Sequence, residues 1–519
     1  MDNKKREVPS KTPSFILELP LKLEPFQIHI LDKRFEIARK IYNAVVHELY
    51  RRYYLLIQSK EYQRIKKQIK ATYRLEEKLR HLNLTIPSTL EEERKYLWKI
   101  INTLRQKAGL TEKDIHSFVK TMYTHFKKNL DSHSVQKIAS HAWNAMEKFL
   151  YGNGKKLHFK KFGQLQSVEG KWNKSGIRYR DQIILWNGLT LPVQVKKSDN
   201  YAHQALKQLI KFCRILRKII RGKIRYFVQL VLEGFPPQKK DQRGEPRHPI
   251  NEGPVGIDIG VSTIAIVSEK QVKLLELAPH VKLMEKEKRK LQRKMDRQKR
   301  ANNPHKYKED GTVKKGNREK WNRSRNYLKV LFQYKEICRK QKEIRKQDHE
   351  KMANWILTCG NDIRVEKMNF KGLQRKAKET KKDEKTGRFK KKKRFGKSIA
   401  NRAPSQMLSI LARKLSLIGL PLKEVNTSKV KASQYNHFTD TYEKKELKER
   451  WNIFNIDHSP IRIQRDLYSG FLIMNTKRDL EKVDRERCFQ TFSNFHILHE
   501  KEIARLIQEQ TKHLQSIGL

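Results

Sequence analysis

PVGIDIGVSTIAIVSEKQ, residues 254–271, opens on a strand that holds one carboxylate, Asp258, between Ile257 and Ile259, with Gly256 and Gly260 two positions to either side. An ionised carboxylate in an apolar setting is costly unless something compensates it. Three things can do so: a structural hydrogen-bond network, a phosphate-binding turn, or a metal ion. The rest of the chain has to decide among them.

Composition narrows the field. The chain has 519 residues, room for several domains, and carries 116 Lys plus Arg against 56 Asp plus Glu, a formal charge of +60 with a pI near 10.1. Such a chain repels itself, so a polyanion is the expected partner and nucleic acid the first reading. An anionic membrane surface is second, but no apolar run of about 20 residues is present to span a bilayer. The start, MDNKKREVPSKTPSF, has no apolar signal core, which points to a cytoplasmic protein. The cysteines Cys213, Cys338, Cys359 and Cys488 are scattered and never form CxxC, against both a disulfide framework and a cysteine zinc knuckle.

Working outward, FILELPLKL (residues 15–23) alternates as an edge strand would, with a proline inside it. From Leu31 the spacing turns helical, with Leu31, Phe35, Tyr42, Val45, Leu49 and Tyr53 on one face, and basic, aromatic-rich helix continues to about residue 150. Core packing is the plainer account of Tyr42, Tyr50, Tyr53 and Tyr54; stacking on bases is the rival one. DQIILWNGLTLPVQV (181–195) reads as a hairpin about Asn187-Gly188, and IRYFVQLVLEG (224–234) as a further strand. These strands suggest a small β-barrel interrupted by the helical insert. A Pro-rich, charged linker spans 236–254. Beyond it come the Asp258 strand, an antiparallel partner around QVKLLELA, basic helices over 281–300 and 319–357, and a second apolar strand, DIRVEKMNF, containing Glu366. A basic loop over 371–403, the helix SQMLSILARKLSLIGL, the strand PLKEVN, and IQRDLYSGFLI with Asp466 complete the order.

Asp258, Glu366 and Asp466 lie about a hundred residues apart, each in or beside an apolar element. Singly, each is explained by a buried acid satisfied by Arg or backbone amides. Together, in so basic a chain, they suggest carboxylates converging on divalent metal; hard oxygen ligands suit Mg²⁺ or Mn²⁺. Two ions about 3.5–4 Å apart can hold the attacking water and the leaving oxygen of a phosphodiester.

GIDIGVSTIAI, IRVEKMNFKGL and IQRDLYSGFLI resemble the three RuvC motifs of TnpB proteins, the OrfB-type transposon-encoded RNA-guided nucleases, and of the related small type V CRISPR effectors. The basic helices of 281–357 resemble the insertion after the first motif, and SILARKLSLIGLPLKEVN the helix-strand unit before the third. The likeness is good over about 250–475 and weaker over 15–235. It implies an α/β multidomain chain: a wedge β-barrel (14–30 and 151–235) interrupted by a helical recognition domain (31–150), a linker (236–254), and a RuvC, RNase H-like nuclease domain (255–519). Within the last it implies a basic insertion (281–357), a lid loop (371–403) and a remnant of a zinc-ribbon region (426–462). It implies Asp258, Glu366 and Asp466 as catalytic Mg²⁺ (or Mn²⁺) ligands, and RNA-guided cleavage of double-stranded DNA bearing a short flanking motif. Guide RNA, of transposon or CRISPR origin, and target DNA are the implied partners, the protein acting as monomer or homodimer on the prokaryotic nucleoid. Arg465 fits the family's Arg before the third acid, as a phosphate contact or as a partner to a neighbour.

Two features depart from that family. The region 426–462 keeps the surrounding pattern, including LKERW, but has no cysteine, so zinc is not expected. His437 and His458 remain as weak ligand candidates, and packing by Tyr435, Phe438, Trp451 and Phe454 is expected in the ion's place. Tyr468 and Leu472 stand where the third motif usually has Asn. Among rivals, GIDIGVSTIAI also resembles the first phosphate loop of sugar kinases and heat-shock ATPases, but their second Asp-Gly-Gly loop and Gly-rich adenosine motif do not appear. A DDE transposase shares the fold but normally ends its triad in Glu. A nuclease-dead RNA-guided DNA-binding protein would have lost acids of the triad, and a plain basic RNA-binding protein leaves all three without a purpose.

Overall fold

The computed structural model describes residues 12–509, apart from 315, 317–318, 376–386, 388–394, 445, 447–448 and 457–458. Most of the expected lid loop, and His458, lie outside the described residues. The chain divides into two compact units, 1–237 and 238–519.

In the first unit, β1 (Ser14–Pro20) alternates exposed and buried positions, and it stands at the edge of its sheet as its proline requires. The helices begin at Pro25, six residues before the first apolar position of the helical pattern: Glu24 and Gln27 form a reciprocal capping box, and the proline needs no N–H at the first helical position. Then come α1 (Pro25–Gln58), α2 (Lys60–His81), α3 (Ser88–Lys107), α4 (Glu112–Phe126) and α5 (Ser132–Leu150). Leu31, Phe35, Tyr42, Val45 and Leu49 of α1 are all buried. Tyr42 is therefore a core residue, while Tyr54 is exposed and stacks on Tyr50.

The chain continues through β2 (Ser167–Glu169), β3 (Arg178–Arg180), β4 (Ile183–Trp186), β5 (Leu189–Pro192), α6 (Asn200–Ala205), β6 (Ile210–Ile220) and β7 (Lys223–Glu233). The turn at Asn187-Gly188 has φ of 47° and 78°, the paired left-handed conformation a two-residue hairpin needs. A longer hairpin joins β6 to β7 through Arg221-Gly222, with φ of 47° and 81°. The sequence reading passed over β6, because Arg-Gly is not a favoured turn pair and the strand is studded with cations. One sheet runs β1-β7-β6-β2 and another β3-β4-β5; a bridge between Leu21 and Val193 links them.

The second unit is built on a mixed sheet. Its elements begin with β8 (Pro254–Ile259), β9 (Thr263–Ser268), β10 (Val272–Glu276), α7 (Glu285–Ala301), α8 (Arg325–Cys359) and β11 (Asp362–Glu366). The short helices α9 (Phe370–Leu373) and α10 (Gly396–Arg402) precede α11 (Pro404–Ser416), β12 (Lys423–Val425) and α12 (Thr427–Val430). Two hairpins follow, β13 (Tyr435–Asn436) with β14 (Thr441–Tyr442), and β15 (Trp451–Ile456) with β16 (Ser459–Gln464), before α13 (Arg465–Met474) and α14 (Arg485–Gln508). The opening stretch thus makes two strands: β8 pairs first with β9, and QVKLLELA pairs with β9 as the third strand.

The sheet order is β10-β9-β8-β11-β12, with β11 parallel to both β8 and β12. Strand alternation divides the layers. Val255, Ile257, Ile259, Ile363 and Val365 form one core with Ile356, Leu357, Leu411 and Leu415 of α8 and α11. Ala265 and Val267 point the other way, into a core with Leu467 and Phe471 of α13 and Phe495 of α14. Among the described residues, no helix is long and apolar enough to cross a membrane.

Candidate functional site

Because Ile257 and Ile259 face α8, Asp258 and Gly256 face α13. The same alternation turns Arg364 and Glu366 of β11 to that side, opposite Ile363 and Val365. Val365 pairs with Ile257 in the parallel ladder, which sets Glu366 beside Asp258 one step further on. Both acids stand at the carboxyl ends of parallel strands, where open α/β sheets bind their ligands.

Asp466 reaches this edge through helix packing. A Cβ built on Gly256 would lie 2.0 Å from the Gly470 carbonyl oxygen and 2.3 Å from the Met474 amide nitrogen. Only glycine lets α13 lie this close to β8. From that contact Asp466 is four residues, about 6 Å, up the helix, and Asp258 is two residues, about 6.6 Å, along the strand. The helix is fixed at both ends. Gln464 accepts a hydrogen bond from the Leu467 amide at 2.9 Å, and Arg364 donates to the carbonyls of Met474 (2.9 Å) and Thr476 (2.5 Å) at the negative end of the helix dipole. Gly256 therefore serves backbone approach.

As whole residues the three acids are half-buried. Burial pushes the Asp258 carboxyl well above its ordinary range, and the charges of Asp466 and Glu366 push it further, with Arg465 opposing. Burial raises Glu366 as well. It also raises Asp466, against the nearby charges of Arg450 and Arg465 and a hydrogen bond involving Gln464. Among the described residues, no three His, Cys, Asp or Glu side chains are gathered as the ligands of an ion. The donor set nevertheless suits a hard divalent cation. It is all carboxylate oxygen, and mutually repulsive in a way that positive charge would relieve.

Arg465 donates to the carbonyls of Glu446 (3.0 Å) and Glu449 (3.3 Å), which ties the segment before β15 to the start of α13. The sequence reading missed Arg450, whose charge bears on Asp466 and whose carbonyl accepts the Arg465 amide at 2.9 Å. Its signal was the arginine of LKERW, which stands in the sequence as part of the pattern kept before the third motif and not as a site residue.

The cysteine-free region is packed with rings. Tyr435 and Phe454 are buried in the α13 core, with Phe438 and Trp451 packed against it. His437 is fully buried; its Nδ1 lies 2.6 Å from the Tyr468 hydroxyl, and its backbone N–H donates to the same oxygen at 3.2 Å. Tyr468, one of the two residues at an expected Asn position, thus holds the turn after β13, and Arg485 donates to the carbonyls of His437 (2.7 Å) and Phe438 (2.8 Å). The other, Leu472, is buried core.

No protein-family model and no curated protein matches the chain. In structure it is similar to a Cas12f1–sgRNA–target DNA complex, at 11% identity and a TM-score of 0.39, over 89% of this chain and 99% of that one. It is also similar to a CRISPR-Cas12f ternary complex, at 13% identity and a TM-score of 0.26, over 87% and 82% of the two chains. Both names fall within the family that the three sequence motifs resemble.

Proposed function

We propose that this chain is an RNA-guided DNA endonuclease that hydrolyses phosphodiester bonds of target DNA. The observation that carries the reading is the convergence of Asp258, Glu366 and Asp466 on one face of one sheet edge, each with its carboxyl pushed upward. Among the described residues, burial of the three acids outweighs the charges of Arg450 and Arg465, which sets them apart from ordinary ion pairs. The three carboxylates would hold Mg²⁺ or Mn²⁺, which when bound activates water and stabilises the leaving oxygen. Gly256 and Arg364 hold the acids in place through α13, and Arg450 and Arg465 bring positive charge beside Asp466 for a phosphate. The first unit would act as wedge and helical recognition domain, and the excess Lys and Arg would neutralise guide RNA and target duplex, with base pairing supplying the sequence recognition.

The test begins with sequencing RNA that copurifies with the protein, followed by cleavage and gel-shift assays on the reconstituted complex with Mg²⁺. Asp258→Ala, Glu366→Ala and Asp466→Ala should each abolish DNA cutting, because the acids act as one unit and their losses do not add. All three should keep RNA binding. Cutting by Asp258→Ala near the parent rate sinks the site; loss of RNA binding along with cutting makes Asp258 a structural residue. Strand transfer in place of hydrolysis would favour a transposase.

A further inference from the structure

Beside the loop that follows Asp258 lies a polar recess of about 480 Å³, lined by Lys282, Glu285, Lys397, Ser398, Asn401 and Arg402 with Ala278 and Val281. Both of its walls are tied to that loop. Ser398 Oγ of α10 donates to the Val261 carbonyl at 3.0 Å, and the Leu277 amide donates to the Ser262 carbonyl at 2.9 Å. The recess therefore adjoins the strand end that presents Asp258.

Its lining sets three cations against one carboxylate, and those cations are held in two different ways. Arg402 and Lys282 share Glu276, Lys282 at 2.6 Å, and the Arg402–Glu276 pair is well enclosed. Lys397 pairs with Glu285 at 2.8 Å, but its side chain is 54% exposed. Glu285 has other company, Arg289 at 3.3 Å and the Asn401 amide. One cation is fixed and one is free to exchange, next to two neutral hydrogen-bonding side chains. That is a site for a group with several anionic oxygens and one defined approach.

We propose that this recess receives a backbone phosphodiester of the DNA strand presented to Asp258, with Arg402 as the fixed contact and Lys397 leaving Glu285 for the phosphate. The inference rests on the endonuclease reading for its ligand. In the resting protein Glu285 stands in for the phosphate and keeps Lys397 over the recess. On binding, a phosphate oxygen replaces the carboxylate; no covalent bond changes.

The two partners of this ion pair should then act with opposite signs. The measurement is fluorescence anisotropy of oligothymidylate binding to the full-length protein across a salt series, with a melting temperature for each variant. Lys397→Ala should weaken binding and lower the slope of log affinity against log salt by about 0.7, one single-strand phosphate contact. Glu285→Gln should tighten binding about two- to fivefold, the worth of a partly exposed ion pair. Any change of net charge shifts binding to so basic a chain, so Lys95→Ala and Glu91→Gln, an exposed pair 3.0 Å apart on α3, are the control. Their effects should be clearly smaller. Equal effects at the two pairs, or the same sign for Lys397→Ala and Glu285→Gln, overturn the proposal. Should Lys397→Ala loosen α10, Lys397→Gln takes its place with the same expectation. Because binding is read without cutting, opposite signs in a protein that never cuts would keep the recess and reject the endonuclease, and the converse result would do the reverse.

Discussion

Glu169 and Asp258 are both carboxylates in strands, one in each unit, and their surroundings drive them in opposite directions. Glu169 stands directly across the ladder from Arg214, whose guanidinium meets it at 2.7 Å, with His141 at 3.3 Å and Lys137 at 3.7 Å. Burial pushes its carboxyl up, but His141 and Arg214 outweigh that and hold it at about 2. Asp258 stands across from Ala265 on one side and beside Glu366 on the other, and meets further negative charge at Asp466. Among the described residues, the positive charges that bear on this edge are those of Arg450 and Arg465, whereas three basic side chains meet Glu169 directly. The difference is the one expected between an acid that holds a structure together and, on the proposed function, acids that would receive a cation.

His437 extends the comparison to a base and carries the largest stability effect. Burial, with Arg485 adding to it, holds its ring at about 4, below the ordinary 6.5, so the folded protein prefers it neutral. Its contribution is fully present above pH 6.5 and is lost as pH falls toward 4, by about 3 kcal/mol in all. Urea unfolding followed from pH 7 to pH 4 should show that slope in the parent, and His437→Gln should flatten it by about this amount. Parallel slopes in parent and variant would mean that the ring finds a proton acceptor, and the aromatic account of this region would fail.

Next in size is Glu169→Gln. The amide keeps the shape but strands Arg214 and takes a charge from a position only 7% exposed, so unfolding should become easier by about 2 kcal/mol. The same substitution made with Arg214→Ala in a double-mutant cycle should recover a coupling of at least about 1 kcal/mol. Coupling near zero would dissolve the contrast with Asp258 from the structural side.

Much of this was legible in the chain. The alternation of GIDIGV and DIRVE shows which residues share a face, and the Asn-Gly turn and the apolar face of α1 follow from local chemistry alone. What escaped was set by long-range contact. Gly256 looks like one more small residue until α13 is laid against it, and nothing local marks Gly470 and Met474 as its partners. Arg450 lies in a segment whose spacing carries no period. Tyr468 looked like a flaw in the third motif, and it is the group that holds His437. β6 was hidden by a turn pair of low preference and by arginines whose partners lie far off in the chain: Arg217 is buried against Asp32 and Glu36, and Arg214 meets Glu169. Alternation reports the face of a residue but not the partner across it, so the acids could be picked out by sequence while the charges that act on them could not.

The smallest effect is the sharpest test, because it has the opposite sign to the one at Glu169. Asp258 is raised by burial and by its acidic neighbours, so at neutral pH its ionised form works against the fold. A carboxyl raised in the folded state adds stability at low pH that is lost as pH climbs through its folded value. Asp258→Asn removes that charge with little change of shape, and in metal-free buffer near pH 7.5 it should stabilise the second unit by about 1 kcal/mol. Mg²⁺ should then reverse the order. Binding to the parent alone adds about 1.4 kcal/mol when the free ion is at about ten times its Kd, while the Asn variant has lost a ligand and gains less. Differential scanning fluorimetry with EDTA and with a Mg²⁺ series, on parent, Asp258→Asn and Glu169→Gln, reads all three signs together. Glu169→Gln should be destabilised equally in both buffers. If Asp258→Asn is destabilised in EDTA as Glu169→Gln is, Asp258 is holding the fold together through a partner of its own, and the two carboxylates are of one kind after all.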